Sequence, residues 1–181
     1  MSSDAPLYER DPEAWNAYLA EGNARQARKR VGADVLIRDE RGWVLLVDPA
    51  YKPNWDLPGG MAESNEPPAA AARREVKEEL GLDLEIGPAL VVDWVPPHGP
   101  WDDSLMFIFD GGVLEAGQIA DLQIVDSELQ NFRFTAPAEM AGMLRPYVLR
   151  RVQAALATLR GGITTYCENG YSVTSPRSHQ G

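Results

Sequence analysis

Cysteine and histidine are nearly absent from this sequence, with one cysteine, Cys167, and two histidines among 181 residues. A lone cysteine excludes an internal disulfide and is typical of proteins from reducing compartments, so the sequence predicts a cytoplasmic location. Basic residues are also few, since 17 Lys and Arg stand against 27 Asp and Glu, which gives a net charge of −10. This balance argues against nucleic acid as a partner, because a nucleic-acid footprint needs a basic surface.

Long hydrophobic runs are missing as well. No stretch reaches the length of a membrane span, and the start, Met-Ser-Ser-Asp-Ala-Pro, is too polar for a signal peptide. We therefore expect no membrane partner. A hydrophobic content of 44% and a charged content of 24% are typical of one globular domain with a proper core.

Residues 60–82 hold the most informative pattern, a glycine-containing loop followed by a helix and a sharp stop. Two consecutive prolines fit a first helical turn, where a missing N–H costs nothing. Asn65 or Glu66 is the expected N-cap, and Gly81 fits a left-handed C-terminal cap. The spacing predicts a helix over residues 67–80.

Three glutamates of that helix, Glu75, Glu78 and Glu79, fall within roughly 100° of one another around the helix axis. They border an apolar stripe that includes Val76, and Arg74 lies on the other flank. The simplest explanation is a solvated acidic helix. However, carboxylates so close repel one another, and a hard divalent cation would relieve that repulsion.

The stretch resembles the Nudix box, in which glycine, glutamate, arginine and aliphatic positions recur at fixed spacing over 23 residues. Every fixed position is filled here, by Gly60, Glu66, Arg74, Glu75, Val76, Glu78, Glu79, Gly81 and Leu82. The preceding run, Trp55-Asp56-Leu57-Pro58-Gly59, is similar to the family lead-in. Asn65 stands where relatives commonly have glycine, and Asn tolerates a positive φ better than most residues.

The resemblance implies a Nudix-type α/β/α sandwich with a mixed β-sheet. It also implies a Mg²⁺-dependent pyrophosphohydrolase, with Mn²⁺ as the alternative ion, which cleaves a nucleoside diphosphate linked to another moiety. The metal ligands would be the side chains of Glu75, Glu78 and Glu79 and the backbone carbonyl of Gly60. Arg74 would orient a box glutamate through a charge-assisted hydrogen bond.

The general base stays open between a box glutamate and a later acid. Glu128 lies where relatives often carry that later acid. Another loop holds His98, Asp102 and Asp103, which we expect to be ordinary exposed loop residues. Glu66 is expected to brace the loop rather than bind metal directly.

Two other functions compete with hydrolysis, and the sequence argues against both. A domain that senses a nucleotide without turning it over would often lose box residues, and this box is complete. An isopentenyl-diphosphate-isomerase-like activity needs a cysteine within the domain, whereas Cys167 falls in the expected tail. No substrate-specific signature is present. The aromatic residues that could stack on a base are Tyr51, Trp55, Trp94 and Trp101.

The rest of the chain divides into three parts. We predict an N-terminal helical extension over residues 1–30 that could mediate a homodimer, a Nudix domain over 31–160, and a flexible tail over 161–181. Within the extension, Asp11 caps a helix that begins at Pro12. The predicted strands are 31–38, 43–48, 55–57, 82–86, 89–95, 104–113, 122–125 and 131–135, and the further helices are 137–144 and 146–159.

Overall fold

A computed structural model describes residues 5–173 as one mixed sheet with helices on both faces. The helices are α1 (Leu7–Arg10), α2 (Pro12–Arg25), α3 (Pro68–Leu80), α4 (Ala116–Ala120) and α5 (Pro146–Gly161). The strands are β1 (Arg30–Arg38), β2 (Val44–Pro49), β3 (Gly59–Met61), β4 (Ala89–Val95), β5 (Ser104–Val113), β6 (Leu129–Thr135), β7 (Thr165–Glu168) and β8 (Tyr171–Ser172).

The sheet has the strand order β6-β2-β1-β5-β4-β7-β8, and β3 pairs separately with β1. β1 runs parallel to β5 and β4 runs parallel to β7, whereas the other pairs are antiparallel. In the β1–β3 pair, Asp34 lies opposite Gly59 and Ala33 lies opposite Gly60. The short third strand therefore carries the glycine loop to the middle of the sheet.

Alternation along β1 supplies two separate cores, because successive side chains of a strand point to opposite faces. Val35 and Ile37 pack with α3, whereas Leu36 packs with α5 on the other face. This arrangement confirms the expected α/β/α sandwich with a mixed sheet. Asp34 has the same parity as Leu36 and therefore lies on the α5 face.

Helix α3 confirms the predicted helix to within one residue. Gly81 follows it with φ of 68°, the left-handed cap that the sequence predicts. The expected N-cap is wrong, since Pro67 occupies that position and no side chain caps the helix. Glu66 is instead bound to Arg74. Asn65 has φ of 63°, as expected for a residue that replaces glycine in this turn.

Two predicted strands, over residues 82–86 and 122–125, are wrong. Leu84 is buried in the α3-side core, but this segment pairs with no strand within residues 5–173. The alternation of apolar side chains there therefore reflects burial and not strand pairing. In the second segment, Val125 donates its backbone N–H to the carbonyl of Glu79 at 3.0 Å, and Gln123 donates to Leu80 at 3.2 Å. These donors close the C-terminal end of α3 instead of joining the sheet.

Smaller differences concern the connections. Residues 55–57 form only isolated bridges, and the strand proper is β3. The predicted helix over 137–144 shrinks to a 3₁₀ turn at Met140–Gly142, a segment that contains a poor helix former, Gly142. Helix α4 is missed by sequence reasoning because it is only 5 residues long.

The segment after α5 was predicted to be a flexible tail, but as far as residue 172 it contributes two strands, β7 and β8, to the sheet. β7 pairs with β4, and Cys167 is fully buried between the sheet and α5. The part of the predicted tail beyond residue 173 lies outside the described residues. The boundaries between extension, domain and tail remain a prediction.

The N-terminal helices confirm the expected Asp11 cap, whose carboxylate accepts the Ala14 N–H at 2.9 Å. Trp15 stacks on Tyr18 with ring centroids 5.5 Å apart, and Tyr18 remains exposed. Over residues 5–173, the helices are each too short or too polar to serve as a membrane span.

Candidate active site

The site begins where α3 passes beneath the glycine loop. Glu79 accepts the backbone N–H of Gly59 through Oε2 at 2.9 Å, which ties the helix to β3. A β-carbon placed on Gly60 would lie 2.5 Å from the carboxylate of Glu75. Only a residue without a side chain allows this approach, so the glycine and two box glutamates form one compact group.

Arg74 binds several acids of the same motif at once. Its guanidinium donates to both carboxylate oxygens of Glu66 at 2.9 Å, to Glu75 at 3.0 Å and to Glu78 at 2.9 Å. The hydrogen bond from Arg74 lowers the pKa of Glu66 to about 2, and Glu66 in turn raises the pKa of Arg74. Glu66 therefore braces the loop, and Arg74 holds the glutamate face in place.

A cavity of about 190 Å³ opens beside this group. The residues that line it include four acids, Asp34, Asp56, Glu79 and Glu128, and one lysine, Lys52. Lys52 forms an ion pair with Asp56 at 2.8 Å. The cavity thus gathers four acids around one lysine.

Burial and crowding disfavour the charged forms of these acids. Burial raises the pKa of Glu79 to about 8, with the Gly59 N–H opposing and Glu75 and Asp34 adding to the rise. Burial, followed by repulsion from Asp56, raises the pKa of Asp34 to about 7. Burial also raises the pKa of Glu75. An added cation would stabilise all three carboxylates.

The donor set fits a hard divalent cation in chemistry, because it consists of clustered carboxylate oxygens beside a glycine that permits close approach. In this structure, however, the carboxylate oxygens do not surround one ion position. Among residues 5–173 no three acidic, histidine or cysteine side chains converge on a common metal position. Arg74 binds Glu75 and Glu78, and Glu79 binds Gly59, so the three predicted ligands are engaged elsewhere.

The structure separates the other predicted acids and histidine. Glu128 is exposed and lines the same cavity as Glu79. His98 lines a neighbouring cavity of about 150 Å³. Asp103 binds Lys29 and the Trp94 indole N–H, so it is part of a surface contact.

Asp102 has a similar structural role, since its carbonyl accepts the Arg30 guanidinium at 2.9 Å. Of the four candidate aromatic residues, Tyr51 alone lines the first cavity. Trp55 packs against the α5-side core, and Trp101 lies 4.8 Å from the Arg30 guanidinium. Cys167 is buried in β7 and lines neither cavity.

Sequence reasoning missed several residues of the site. Asp34 is the one charged residue between Val31 and Ile37 in an apolar strand, which was a usable signal. Asp56 could also have been found, because it belongs to the run that leads into the box. Lys52 and Arg151 gave no local signal, because the tertiary structure alone places the loop lysine in the cavity of Glu79 and the helix arginine near Asp34 in the neighbouring cavity.

Comparisons with known proteins agree with the resemblance to the Nudix family. The chain is 27% identical over 121 residues to a protein named "Putative 8-oxo-dGTP diphosphatase" from Bacillus subtilis (strain 168), covering 67% of this chain and 76% of that protein. A MutT protein from Methanosarcina mazei Go1 superposes with a TM-score of 0.60 at 23% identity, over 76% of this chain and 99% of that one.

A UDP-X diphosphatase superposes with a TM-score of 0.66 at 18% identity, over 85% of this chain and 74% of that one. At such identities the two structural matches establish the fold alone. The family model of the NUDIX domain matches residues 28–155, well over half of the sequence. The chain therefore belongs to the NUDIX domain family.

Proposed function

We propose that this Nudix hydrolase is a Mg²⁺-dependent pyrophosphohydrolase that cleaves a nucleoside diphosphate linked to another moiety. The observation that carries the proposal is the contact of Gly60 with Glu75, next to Glu79 in the cavity. It brings the first and the last parts of the box to one point, where a cation and a phosphate chain could meet oxygen ligands. The names of the matched diphosphatases agree with this substrate class.

Under this proposal the ion is held by Glu75, Glu78, Glu79 and the Gly60 carbonyl, and Mn²⁺ is the alternative ion. Glu75 and Glu78 would have to exchange their bonds to Arg74 for the ion. Arg74 would keep its two bonds to Glu66 during that exchange, so its position is retained. An ion held there would neutralise charge on the phosphate oxygens and would lower the pKa of a water bound to it.

The reaction itself is hydrolysis. A water oxygen forms a bond to phosphorus, the bond from phosphorus to the leaving phosphate oxygen breaks, and a carboxylate takes the proton from the water. Glu128 is our candidate for that base, because it is exposed and lines the same cavity as Glu79. A box glutamate is the alternative. The glycines let the diphosphate approach the backbone, and Lys52 adds a positive charge beside it.

The decisive experiment incubates the purified protein with ADP-ribose, UDP-glucose and 8-oxo-dGTP, with Mg²⁺, with Mn²⁺ and with EDTA, and measures phosphate-containing products. We expect turnover of at least one compound, abolished by EDTA. Tight binding of these compounds without any turnover would instead favour a nucleotide-sensing domain. Turnover that persists in EDTA would contradict the metal assignment.

Three further expectations accompany this function. We propose a cytoplasmic location from cysteine usage, and nucleic acid remains disfavoured as a partner by the net charge of −10. The homodimer remains a proposal that rests on the N-terminal extension, where Tyr8 and Tyr18 are exposed. Light scattering at several protein concentrations would test it.

A further inference from the structure

The N-terminal helices α1 and α2 present an apolar surface that the described chain, residues 5–173, does not bury. Trp15 stacks on Tyr18, and the Tyr8 ring meets the Trp15 ring edge-on with centroids 6.2 Å apart. Leu19 lies on the same side of α2, because helical residues three and four positions apart share a face. Neither helix contains a buried residue in this range, and Tyr18 is 62% exposed. We call Tyr8, Trp15, Tyr18 and Leu19 the helix stripe.

A second apolar surface lies on the sheet, on the side that faces α3. The strand register pairs Val31 of β1 with Leu105 of β5, and Leu105 with Trp94 of β4. In the next row, Val92 of β4 pairs with Tyr166 of β7. Paired residues of neighbouring strands point to the same face, so these five side chains form one continuous surface. We call it the open sheet surface.

Helix α3 does not extend over the open sheet surface. It packs on β1 and β3, and the core on its side reaches Phe109 of β5. Among residues 5–173, neither hydrophobic core includes a member of this surface. Tyr166 is 45% exposed and the other four residues are half-buried, although β5 and β4 are interior strands. An α/β/α sandwich buries both faces of its sheet under helices, so within that range these strands lack a helix on this side.

The extension ends beside the open sheet surface. Lys29 forms an ion pair with Asp103, and the Asp103 carboxylate also accepts the Trp94 indole N–H at 2.8 Å. Residues 26–29 alone separate α2 from β1, and four extended residues span at most about 14 Å. The end of α2 is therefore held close to Trp94.

The dimensions of the two surfaces match. Helix α2 has 14 residues, and a helix of that length is about 21 Å long. The surface crosses the four neighbouring strands β1, β5, β4 and β7, and four strands are about 14 Å wide. One copy of α2 is thus long enough to cross the whole surface.

Charge favours the same contact. Residues 5–30 carry five basic and four acidic side chains, whereas the whole chain has a net charge of −10. The acidic excess therefore lies in the rest of the chain, and Glu168 lies beside Trp94 at the edge of the open sheet surface. Arg25 and Arg28, at the end of the extension, are exposed. Opposite charge on two surfaces favours their encounter.

We propose that two copies of the chain form a symmetric dimer in which the helix stripe of each copy packs on the open sheet surface of the other. The inference rests on the homodimer proposed above and goes further by naming the two surfaces that meet. A second copy is the occupant because, over residues 5–173, each surface is uncovered within one chain although the other surface fits it. The contact occurs twice about the dimer axis, so a stripe and a sheet surface from each copy contribute to the roughly 800 Å² per partner that stable interfaces bury.

The first test adds a negative charge to each surface, by Tyr18→Glu on the helix and by Tyr166→Glu on the sheet. Light scattering of the full chain at several protein concentrations measures the dissociation constant of the dimer. Each variant should raise it at least about tenfold, as for a central interface residue. Ala17→Glu adds the same charge to the opposite side of α2, and Ile163→Glu replaces an exposed apolar residue outside both surfaces. Both controls should dimerise like the wild type.

The second test mixes the two variants. Each variant alone damages both contacts of its dimer. A mixed dimer instead places both substitutions in one contact and leaves the other contact intact, and losses within one contact are less than additive. The mixture should therefore associate more tightly than either Tyr18→Glu or Tyr166→Glu alone. A dimer held together by its helices alone would instead dissociate in Tyr18→Glu and persist in Tyr166→Glu, which would overturn the inference.

Hydrogen exchange of the wild type needs no substitution and decides the matter if Tyr166→Glu does not fold. The amides of α2 and β7 should exchange more slowly as the protein concentration rises. Exchange that does not depend on concentration would show that the stripe contacts no second copy and would overturn the inference. A dimer that persists in both variants would overturn this inference alone, whereas a wild type that stays monomeric would also remove the homodimer. The hydrolysis assay is independent of both outcomes.

Discussion

The cleft formed by the two neighbouring cavities has a glutamate side, carried by α3, and an arginine side, carried by Arg151 of α5. These two sides are built in opposite ways. The glutamate side comes from one continuous stretch, in which Arg74 binds Glu75 and Glu78 within one helical turn. The arginine side joins Arg151 to Asp93, which is 58 residues away in sequence, and Gly170 to Asp93, which is 77 residues away. Local helical geometry is enough to assemble the first side, whereas the second exists only once the sheet has formed.

The two sides also differ in how they handle charge. On the glutamate side the acids outnumber their cation, and burial raises the pKa of Glu79 to about 8. On the arginine side the buried guanidinium has a fully buried carboxylate partner, Asp93, at 2.9 Å. The first side is therefore prepared for an added cation, and the second is close to neutral by itself. The following predictions test this difference.

Glu79→Gln should have the largest effect, on turnover. Removing this proposed metal ligand should cost several kcal/mol of transition-state stabilisation, which corresponds to about a thousandfold loss in kcat. Steady-state hydrolysis of the best substrate with Mg²⁺ measures it. Glu85→Gln, at an exposed position outside the box, is the control and should stay at wild-type rate. Retained activity in Glu79→Gln would remove this residue from the mechanism.

Asp93→Ala should have the largest effect on stability. It leaves Arg151 buried without its closest partner, and breaking a buried ion pair costs about 3–5 kcal/mol. Urea denaturation monitored by tryptophan fluorescence measures the free energy of unfolding. The control, Glu139→Ala, removes an exposed pair with Arg133 and should cost about 0–1 kcal/mol. Equal losses of unfolding free energy in both variants would show that the buried Asp93–Arg151 pair contributes no more than a surface ion pair.

Arg74→Lys should have a smaller effect on activity. A lysine keeps the charge but cannot donate to Glu66 with two parallel bonds, so the glutamate face should lose its orientation. We expect about a 10- to 100-fold loss in kcat/KM, as for other residues that orient ligands. Arg73→Lys changes the adjacent arginine, which binds Asp83 at the surface, and should leave activity intact. Similar losses in both variants would argue against an orienting role for Arg74.

The last prediction concerns the pH dependence of metal-free stability. The folded pKa of Glu79 is about 8 and its ordinary value is 4.5, so between these values the folded protein holds a proton that the unfolded chain has released. The free energy of unfolding should therefore fall as pH rises through this window, by at most about 1.4 kcal/mol per pH unit from this group.

Urea unfolding in EDTA at about pH 5.5 and about pH 7.5 measures this slope. In Glu79→Gln the slope should be shallower, because the titrating group is gone, and any remaining slope includes Asp34, whose pKa is also raised. An unchanged slope in the variant would show that Glu79 does not titrate in this window.

Prediction from sequence succeeded where a residue pattern reports local geometry. The helix that carries the box was predicted to within one residue, because prolines, glycine and apolar spacing act within a few turns. The strands over 82–86 and 122–125 were wrong, because alternation reports that side chains are buried but not what the backbone pairs with. In the second case the backbone donors close α3 instead of joining a strand.

By itself the sequence determined the family resemblance and the glutamate face, since both follow from local spacing, and the resemblance in turn implied the α/β/α class. The tertiary structure alone decided that Asp34 and Arg151 line one cavity, that Glu128 and Glu79 line another and that the segment after α5 enters the sheet. The physical reason is that these contacts join distant segments, so their geometry is fixed by strand order and packing rather than by any neighbouring residue.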